Sequence, residues 1–464
     1  MEERNDILRS LPQVERILGH DDVRAYTREI GRSSVTEIVR GELAAARERA
    51  LKGESFDLES SVRAIVSQCE GKRRMKLRRV INGTGVVIHT NLGRSPLGKE
   101  LLGRLANELA GYCNLEYDIP GKKRGKRGGF AEELIADLVG AEAALIVNNN
   151  AAAVFLILSE FARGREVIVS RGELVQIGGG FRLPDIMRQS GALLVEAGTT
   201  NITTLDDYRD AVTHDTAMVF SCHRSNFTMT GFTEGPSLSE LSSLRGEGIL
   251  LVRDLGSGNL TEDRRLPRPF EPTVRWELAQ GPDLVSFSGD KLLGGCQAGV
   301  IVGRRDLVER LRKNPLMRMV RVDKISYYLL QETLIRHVNG EAGDIALWGM
   351  MLQEKKAIAA RVSRFLRMIR DTSSKDILRR VETRCAIGGG AMPGVDMESI
   401  GISVEIPGVG ADDIYESFLT AEVPVVGAVS GGKYVIDFFT ITDGDLRELA
   451  GVVEGIIARF RGKE

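Results

Sequence analysis

The chain has 464 residues, with 63 Lys plus Arg against 64 Asp plus Glu and 42% hydrophobic residues. This length excludes a peptide hormone and a small toxin. The composition is that of an ordinary globular protein and excludes a wholly disordered chain. At about 150 residues per domain, the length predicts roughly three domains.

The five cysteines are scattered and form no CxxC pair, so we expect a reducing compartment and no metal site. The N-terminus lacks the basic and apolar segments of a secretory signal. No apolar run approaches the roughly 18 residues of a membrane span. These features predict a cytoplasmic protein with no membrane partner.

The N-terminal region shows helical periodicity. Leu11, Val14, Ile17 and Leu18 recur three and four residues apart, and the stretch from residue 35 to 51 repeats the pattern. Basic residues then cluster between residues 72 and 79. We predict a helical domain over residues 1–66 and a basic linker over residues 67–92.

Short apolar runs then alternate with helical stretches. This alternation predicts an α/β domain over residues 93–342, with a mostly parallel sheet covered on both faces. Ligands in such sheets bind beyond the carboxyl ends of the strands, so the chemistry should follow these runs. The predicted strands are Leu145–Val147, Val167–Val169, Leu193–Val195, Met218–Phe220, Ile249–Val252, Leu284–Phe287 and Gly299–Val302.

The last part of the chain predicts a smaller α+β domain over residues 343–464. It opens with one long helical pattern from Ile345 to Met368. Candidate strands follow at Ile402–Ile406 and Tyr434–Phe439, and a helix from Asp445 to Phe460 closes the chain.

The strongest local signal is Lys291, which lies in a small, glycine-rich turn directly after a predicted strand. Ser288, three residues earlier, offers a hydroxyl to a phosphate. Asp254 follows another strand. A third strand is followed by the start of a helix, whose free N–H groups can hold an anion, and the residues there are Asn149, Asn150 and Ala151.

These parts match what an aminotransferase-like enzyme uses to hold pyridoxal 5′-phosphate. The lysine amine bonds the aldehyde of the cofactor, the carboxylate keeps the pyridine nitrogen protonated, and the ring accepts the electrons of a carbanion. We therefore predict pyridoxal phosphate, anchored on Lys291. His223 also follows a strand, and contact with the pyridine ring and simple packing in a turn are equal alternatives for it.

Further motifs occur in order from Leu8 to about Ala342. They are Ile81–Gly85, His89–Arg94, Asn114–Asp118, Val147–Ala153, Ser170–Val175, Ser286–Gly295 and Arg318–Lys324. Together they resemble the bacterial selenocysteine synthase family, the L-seryl-tRNA(Sec) selenium transferases. The segment Leu11–Leu18 resembles the start of the tRNA-binding domain of that family.

The resemblance implies a fold type I catalytic domain that acts on serine esterified to tRNA(Sec). Dehydration would give dehydroalanyl-tRNA, which takes selenium from selenophosphate to give L-selenocysteinyl-tRNA(Sec), with Lys291 as the proton carrier. It also implies a homo-oligomer, a ring of dimers that forms a homodecamer. The selenophosphate would be bound by Arg94, Arg318 and Arg321, the last two of which share a face if their segment is helical.

Two other interpretations remain open at this point. A pyridoxal-phosphate lyase or epimerase acting on a free amino acid or amino sugar would use the same Lys291 and Asp254. Such an enzyme has no need of residues 1–70 or of three arginines. A tRNA-binding protein that has lost catalysis is the other interpretation, and the intact Lys291, Asp254 and Ser288 argue against it.

Several residues have more than one possible role. Glu173 and Gln176 follow a strand and could contact the cofactor or cap a helix. Cys296 stands where the family has a proline, and a buried small residue is the favoured interpretation. The basic loop Gly121–Gly129 and the run from residue 72 to 79 are either solvated surface or contacts to tRNA phosphates. The segment Val423–Thr442 departs from the family pattern.

Overall fold

The structure is a computed structural model that describes residues 11–177, 180–246, 248–266, 270–371 and 376–462. Leu8, at the start of the predicted helical pattern, lies outside the described residues. The chain divides into two compact units, Met1–Arg79 and Val80–Glu464. None of the helices in these described ranges is long and apolar enough to cross a membrane.

The first unit is helical. Its apolar residues meet in a core of its own, which includes Ile17, Val35, Val39 and Ile65. Asp57 caps the last helix by accepting hydrogen bonds from the backbone N–H groups of Glu59 and Ser60, which helix starts require. The helices are Val14–Leu18, Asp21–Arg24, Tyr26–Glu29, Arg32–Leu51 and Leu58–Arg74.

The large sheet of the second unit contains all the strands predicted for the α/β domain. Its strands, in spatial order, are Ala143–Val147, Gly299–Gly303, Leu284–Ser288, Leu250–Gly256, Thr216–Cys222, Glu166–Ser170 and Leu193–Ala197. All neighbours pair in parallel except Gly299–Gly303, which is antiparallel to both of its neighbours. The prediction of a mostly parallel α/β sheet is therefore confirmed.

This sheet is covered on both faces because successive side chains point to opposite sides. Leu145 and Val147 belong to one apolar cluster, whereas Ala144 and Ile146 belong to another. The helices of this region are Lys99–Leu109, Gly129–Val139, Asn150–Phe161, Leu183–Ser190, Leu205–Ala211, Leu238–Leu241, Val274–Ala279, Arg305–Lys313, Met317–Val320 and Lys324–Val338.

A smaller sheet forms near the C-terminal end of the chain. In spatial order its strands are Ala428–Ser430, Lys433–Asp437, Asp396–Val404, Leu378–Gly388 and Val86–Ile88. The predicted long helix from Ile345 to Met368 is in fact two helices, because the chain leaves the helical conformation between Met351 and Lys355. The helices here are Ala346–Met351, Lys355–Met368, Ala411–Leu419 and Leu446–Arg461.

The segment predicted as a basic linker, residues 67–92, is mostly ordered secondary structure. Its first part continues the helix Leu58–Arg74, so the boundary expected at residue 66 falls inside a helix. Val86–Ile88 pairs in parallel with Leu378–Gly388, and Ile81–Asn82 pairs with Val425–Val426. The cause is apolar burial, since Ile81 and Ile88 are 1% and 0% exposed. The functional division of the chain into domains stays a prediction.

Candidate active site

A cavity of about 270 Å³ lies at the carboxyl ends of the central strands. The loops that leave these strands carry its side chains, as expected for ligand sites in parallel sheets. It brings together eight of the ten predicted site residues, although they are spread over two hundred positions of the chain. The lining residues are Arg94, Asn149, Asn150, Ala151, Cys222, His223, Ser225, Asp254, Gly256, Ser288, Lys291 and Gln297.

Lys291 is buried, with 5% of its surface exposed. Burial lowers the pKa of its amine, and the nearby Arg94 guanidinium lowers it further, while Asp254, Asp290 and Glu271 act in the opposite direction. A Cβ atom on Gly390 would lie 2.5 Å from Nζ of Lys291, so this glycine of the C-terminal region lies directly against the amine. The lysine is thus held in a setting that favours the neutral, nucleophilic amine.

Asp254 is the buried carboxylate of the cavity. Its Oδ1 accepts a hydrogen bond from Nδ2 of Asn150 at 2.8 Å and one from Oγ of Ser286 at 3.4 Å. Burial raises the pKa of Asp254, while the hydrogen bond from Asn150 and the charge of Lys291 oppose that rise. A carboxylate fixed in this way is ready to pair with a cation in the cavity.

The helix Asn150–Phe161 begins at the edge of the cavity. Asn149 is its N-cap, and its Oδ1 accepts a hydrogen bond from the backbone N–H of Ala152 at 2.8 Å. The side chain of Asn150 is directed to Asp254 and not to the helix start. An anion in the cavity would therefore meet the backbone N–H groups of the first turn and the hydroxyl of Ser288.

His223 also lines the cavity, and its backbone N–H donates to the carbonyl of Asp254 at 2.8 Å. Burial lowers the pKa of its imidazole to about 3, with further contributions from Arg253, Arg224 and Lys291. The ring is therefore neutral at physiological pH. A neutral ring can lie against a bound aromatic group and can still donate or accept one hydrogen bond.

Arg94 lines the same cavity. Its guanidinium NH1 donates to both carboxylate oxygens of Asp290, at 3.1 and 2.9 Å. Asp290 directly precedes Lys291 in the chain, so this ion pair brings a cation next to the buried amine. Arg94 adopts a left-handed backbone conformation, with φ of 61°, which is unusual for a residue with a Cβ.

Arg318 and Arg321 are not among the described residues that line this cavity. The helix ends at Val320, so the two arginines do not share one helical face as the spacing suggested. Their segment nevertheless lies at the same edge of the sheet, because the carbonyl of Val320 accepts a hydrogen bond from the N–H of Asn148 at 2.9 Å. Both arginines are exposed.

Glu173, Gln176 and Cys296, for which the sequence allowed more than one role, are not among the described residues that line the cavity. Glu173 accepts hydrogen bonds from the N–H of Cys222 and from Ser221, and it faces a neighbouring cavity. Gln176 is exposed and accepts a hydrogen bond from Arg182. Burial raises the pKa of Cys296 to about 12, which makes its thiol a poor nucleophile.

The basic loop is less available for phosphate than its sequence suggests. Arg124 and Arg127 both pair with Glu116, and Lys126 pairs with the buried Glu132 at 3.0 Å. These contacts hold part of the loop in a short hairpin of Tyr117–Asp118 and Lys123–Arg124. Phosphate contacts by these three side chains would have to compete with existing ion pairs.

Sequence reasoning missed Gly390 and the pairing partner of Arg94. In the sequence, Gly390 belongs to a run of three glycines, and Asp290, the partner of Arg94, belongs to the turn that carries Lys291. No sequence signal shows that residue 390 meets residue 291, because the contact joins segments about a hundred residues apart. The role of Asp290 depends likewise on a contact to a residue near the start of the second unit.

The cavity fits pyridoxal phosphate, judged by its polar groups. Oδ1 of Asn150 and Nδ1 of His223, two residues that line the cavity, are buried without a hydrogen-bond partner among the described residues. Buried polar atoms are normally paired, and unpaired ones at one place indicate a missing ligand. A buried amine, a buried carboxylate and a helix start complete the set of groups that this cofactor requires.

The chain matches known protein families over nearly its whole length. The family described as L-seryl-tRNA selenium transferase matches residues 80–442, and the family described as selenocysteine synthase N terminal matches residues 8–47. Both matches lie where the motifs of the sequence predicted them.

Individual relatives agree. The L-seryl-tRNA(Sec) selenium transferase of Geotalea daltonii is 41% identical over 97% of this chain and 100% of its own length. The enzyme of the same name from Geobacter sulfurreducens is 41% identical over 96% of this chain and 99% of its own.

Solved structures show the same fold. The structure titled D-glucosaminate-6-phosphate ammonia-lyase superposes with a TM-score of 0.58 at 18% identity, covering 82% of this chain and 96% of the other. At this identity the similarity concerns the fold alone. The sequence matches over the full chain decide the family: the protein belongs to the L-seryl-tRNA(Sec) selenium transferases, the enzymes that convert seryl-tRNA(Sec) to selenocysteinyl-tRNA(Sec).

Proposed function

We propose that this enzyme carries out its reaction with pyridoxal 5′-phosphate held in the cavity of Lys291. The observation that carries the proposal is the meeting of a buried lysine amine and a buried carboxylate in one cavity at the carboxyl ends of parallel strands. When bound, the cofactor supplies an electron sink for the carbanion that forms when the seryl Cα loses its proton.

Different residues of the cavity would contact the pyridine nitrogen, the ring and the phosphate of the cofactor. Asp254 would pair with the protonated pyridine nitrogen, and His223 would lie against the ring. The phosphate would meet Ser288 and the first turn of the helix Asn150–Phe161, at the residues Asn149, Asn150 and Ala151. The hydrogen bond from Asn150 then holds the Asp254 carboxylate in place.

Lys291 is the proton carrier in this proposal. Once the seryl amine has taken its place, the neutral form of the freed amine is favoured because burial lowers its pKa. It can then accept the Cα proton and later return one. Loss of hydroxide from Cβ gives dehydroalanyl-tRNA. The selenium of selenophosphate then adds to Cβ while Cα takes up a proton, and water cleaves the Se–P bond to release phosphate.

The selenium donor would be selenophosphate, bound by Arg94, Arg318 and Arg321. A multiply charged anion needs the planar fork of guanidinium groups. The positions of the three arginines support this assignment. Arg94 lies at the cavity, and the segment of the other two arginines is hydrogen-bonded beside Asn148 at the same sheet edge.

The remaining partners follow from the rest of the chain. The N-terminal unit would bind tRNA(Sec) charged with serine, and the enzyme would act in the cytoplasm. We also infer a homo-oligomer, a ring of dimers, which the family resemblance extends to a homodecamer. Exposed apolar side chains around one cavity of the second unit suit such an interface, namely Tyr112, Tyr117, Ile119 and Phe130.

The test is to measure both the cofactor and the product. Purified protein should show a visible absorbance band, and borohydride should fix the cofactor to Lys291, as mass spectrometry of peptides can detect. Seryl-tRNA(Sec) and selenophosphate should then yield selenocysteinyl-tRNA(Sec). In Lys291→Ala the fixed cofactor and the product should both be lost, and a variant that kept either at the wild-type level would refute the assignment.

A further inference from the structure

A second cavity, of about 540 Å³, adjoins the cavity of Lys291. The two share Cys222 and His223 as a common wall. The second cavity, called here the side chamber, is also lined by Phe227, Glu271 and Trp276. No step of the proposed function uses it so far.

The cavity of Lys291 is too small to hold the cofactor together with the seryl group and the terminal nucleoside of the tRNA. Sites for one drug-sized ligand measure about 300–1,000 Å³. The cavity of Lys291, at about 270 Å³, holds the cofactor and a seryl group at most. The serine is esterified to the 3′-oxygen of a terminal adenosine, so that nucleoside must occupy space directly beside this cavity.

Two polar atoms, one on the common wall and one in the side chamber beside it, have no hydrogen-bond partner among the described residues. Nδ1 of His223 and Oε2 of Glu271 are both buried and lie 3.5 Å apart. The other oxygen of Glu271 accepts a hydrogen bond from the N–H of Met392 at 2.9 Å, which fixes the carboxyl group. One hydroxyl group could satisfy both atoms, since a hydroxyl can donate and accept at the same time.

The side chamber also offers an aromatic surface. Trp276 is 53% exposed, although large aromatic side chains are normally buried, and Phe227 lines the same space. Proteins bind unpaired bases by stacking them on such rings. A hydroxyl site beside an aromatic surface is the chemistry that recognises a ribonucleoside.

We propose that the side chamber receives the 3′-terminal adenosine of the aminoacyl-tRNA, with its 2′-hydroxyl between His223 and Glu271 and its base against Trp276. The inference rests on the proposed function, because it takes the seryl ester to lie at Lys291. It adds a site that distinguishes a ribose end from a deoxyribose end.

Binding can be measured without turnover. The chain has two tryptophans, and Trp348 is fully buried, so quenching by an added base reports on Trp276. A trinucleotide ending in CCA should quench the fluorescence of the full-length protein. The same trinucleotide ending in 2′-deoxyadenosine should bind roughly ten- to a hundredfold more weakly, as expected when buried polar atoms are left without a hydrogen-bond partner. Trp276→Phe should remove the signal.

The hydroxyl site can also be tested by turnover, by comparing the ribose and deoxyribose substrates in the wild type and in a Glu271 variant. Seryl-tRNA(Sec) ending in 2′-deoxyadenosine should lower kcat/KM of the wild type by about the same factor. In Glu271→Ala the deoxy and the ribose substrates should differ little, because the partner is already lost. Glu262→Gln, on an exposed loop of the same unit, is the matched control and should discriminate as the wild type does.

The outcomes separate the two proposals. If the wild type makes selenocysteinyl-tRNA(Sec) but treats both substrates alike and shows no quenching by the CCA trinucleotide, the side chamber is not the adenosine site and the proposed function stands. If the wild type makes no product from the ribose substrate while still binding the trinucleotide, the proposed function fails. A larger loss in Glu271→Ala with discrimination retained would also overturn the hydroxyl site.

Discussion

Among single residues, Asp254 and Lys291 have pKa values that the environment of the candidate site shifts in opposite directions. Burial raises the pKa of Asp254 and lowers that of Lys291, so each charged form is disfavoured when the cavity holds no partner. Pairs of groups with such opposed environments mark acid–base sites. A cationic ligand ring beside Asp254 would restore its charged form, which links the stability of the site to its occupancy.

Asp254→Asn should separate stability from function. The folded pKa of Asp254 lies above its unfolded value, so this group contributes stability at low pH that is lost as the pH rises above the unfolded pKa. The cofactor-free variant should therefore unfold at a higher temperature than the cofactor-free wild type at pH 7, with a smaller difference near pH 4. Calorimetry at both pH values checks this.

The same variant should be a poor enzyme. An amide cannot keep the pyridine nitrogen protonated, and loss of one such electrostatic partner costs roughly 10²–10³ in kcat. Cofactor retention, measured by absorbance, should fall much less than the rate of dehydroalanyl-tRNA formation. Near-normal turnover would remove Asp254 from this role.

The three arginines give a prediction about the selenium donor. Replacing Arg94, Arg318 or Arg321 by Ala should raise the KM for selenophosphate by tenfold or more, as expected for lost charge-assisted hydrogen bonds. Lysine should rescue poorly because it lacks the planar fork. Dehydroalanyl-tRNA should still form without the donor, and loss of that step with an unchanged KM would contradict the assignment. Arg94 has a second effect to separate, since it also pairs with Asp290.

Among the elements of the fold, the glycine turn of Gly388, Gly389 and Gly390 connects the C-terminal sheet to Lys291. Gly390 has φ of +86° and lies against Nζ and Cε of Lys291. The strand Leu378–Gly388 leads directly into this turn and also pairs with Val86–Ile88. The small sheet thus holds one wall of the site in position.

Gly390→Ala should displace Lys291 and reduce covalent capture of the cofactor severely. Gly408→Ala is the matched control, because Gly408 has φ of +73° and open space around it. Both substitutions should cost about 1–2 kcal/mol for the left-handed conformation. Only the first should reduce the amount of cofactor fixed by borohydride, and equal losses in both variants would show that backbone strain, not contact with Lys291, is the cause.

For the molecule as a whole, the chain consists of a helical unit with its own core and a larger second unit. The described residues that line the cavity of Lys291 come from the second unit. The pairing of Arg73 and Arg74 with Glu70 shows that part of the basic run supports the helix Leu58–Arg74. The tRNA binding that we propose for the first unit would therefore depend on more than that run alone.

Removal of residues 1–79 should leave a folded protein that retains the visible cofactor band. Its affinity for tRNA(Sec), measured by filter binding, should fall by orders of magnitude. Binding by the full chain should weaken as salt rises, because phosphate contacts release counterions. Equal affinity of both forms would show that the second unit alone binds the tRNA.

The amino-acid sequence alone was enough to predict the strands of the large sheet and the lysine, carboxylate and helix start at their ends. These signals are local, since a buried parallel strand is a short apolar run and its loop follows it directly. It also determined the family, because motifs survive in order along the chain.

Which distant segments contact each other became clear only from the folded chain. Val86–Ile88 joins a sheet formed some three hundred residues later, Gly390 contacts Lys291, and Arg94 pairs with Asp290. The sequence predicts Asn150 at an anion site, and the structure adds that its side chain donates a hydrogen bond to Asp254. Such contacts depend on packing between distant segments, and no periodicity or spacing within one segment encodes them.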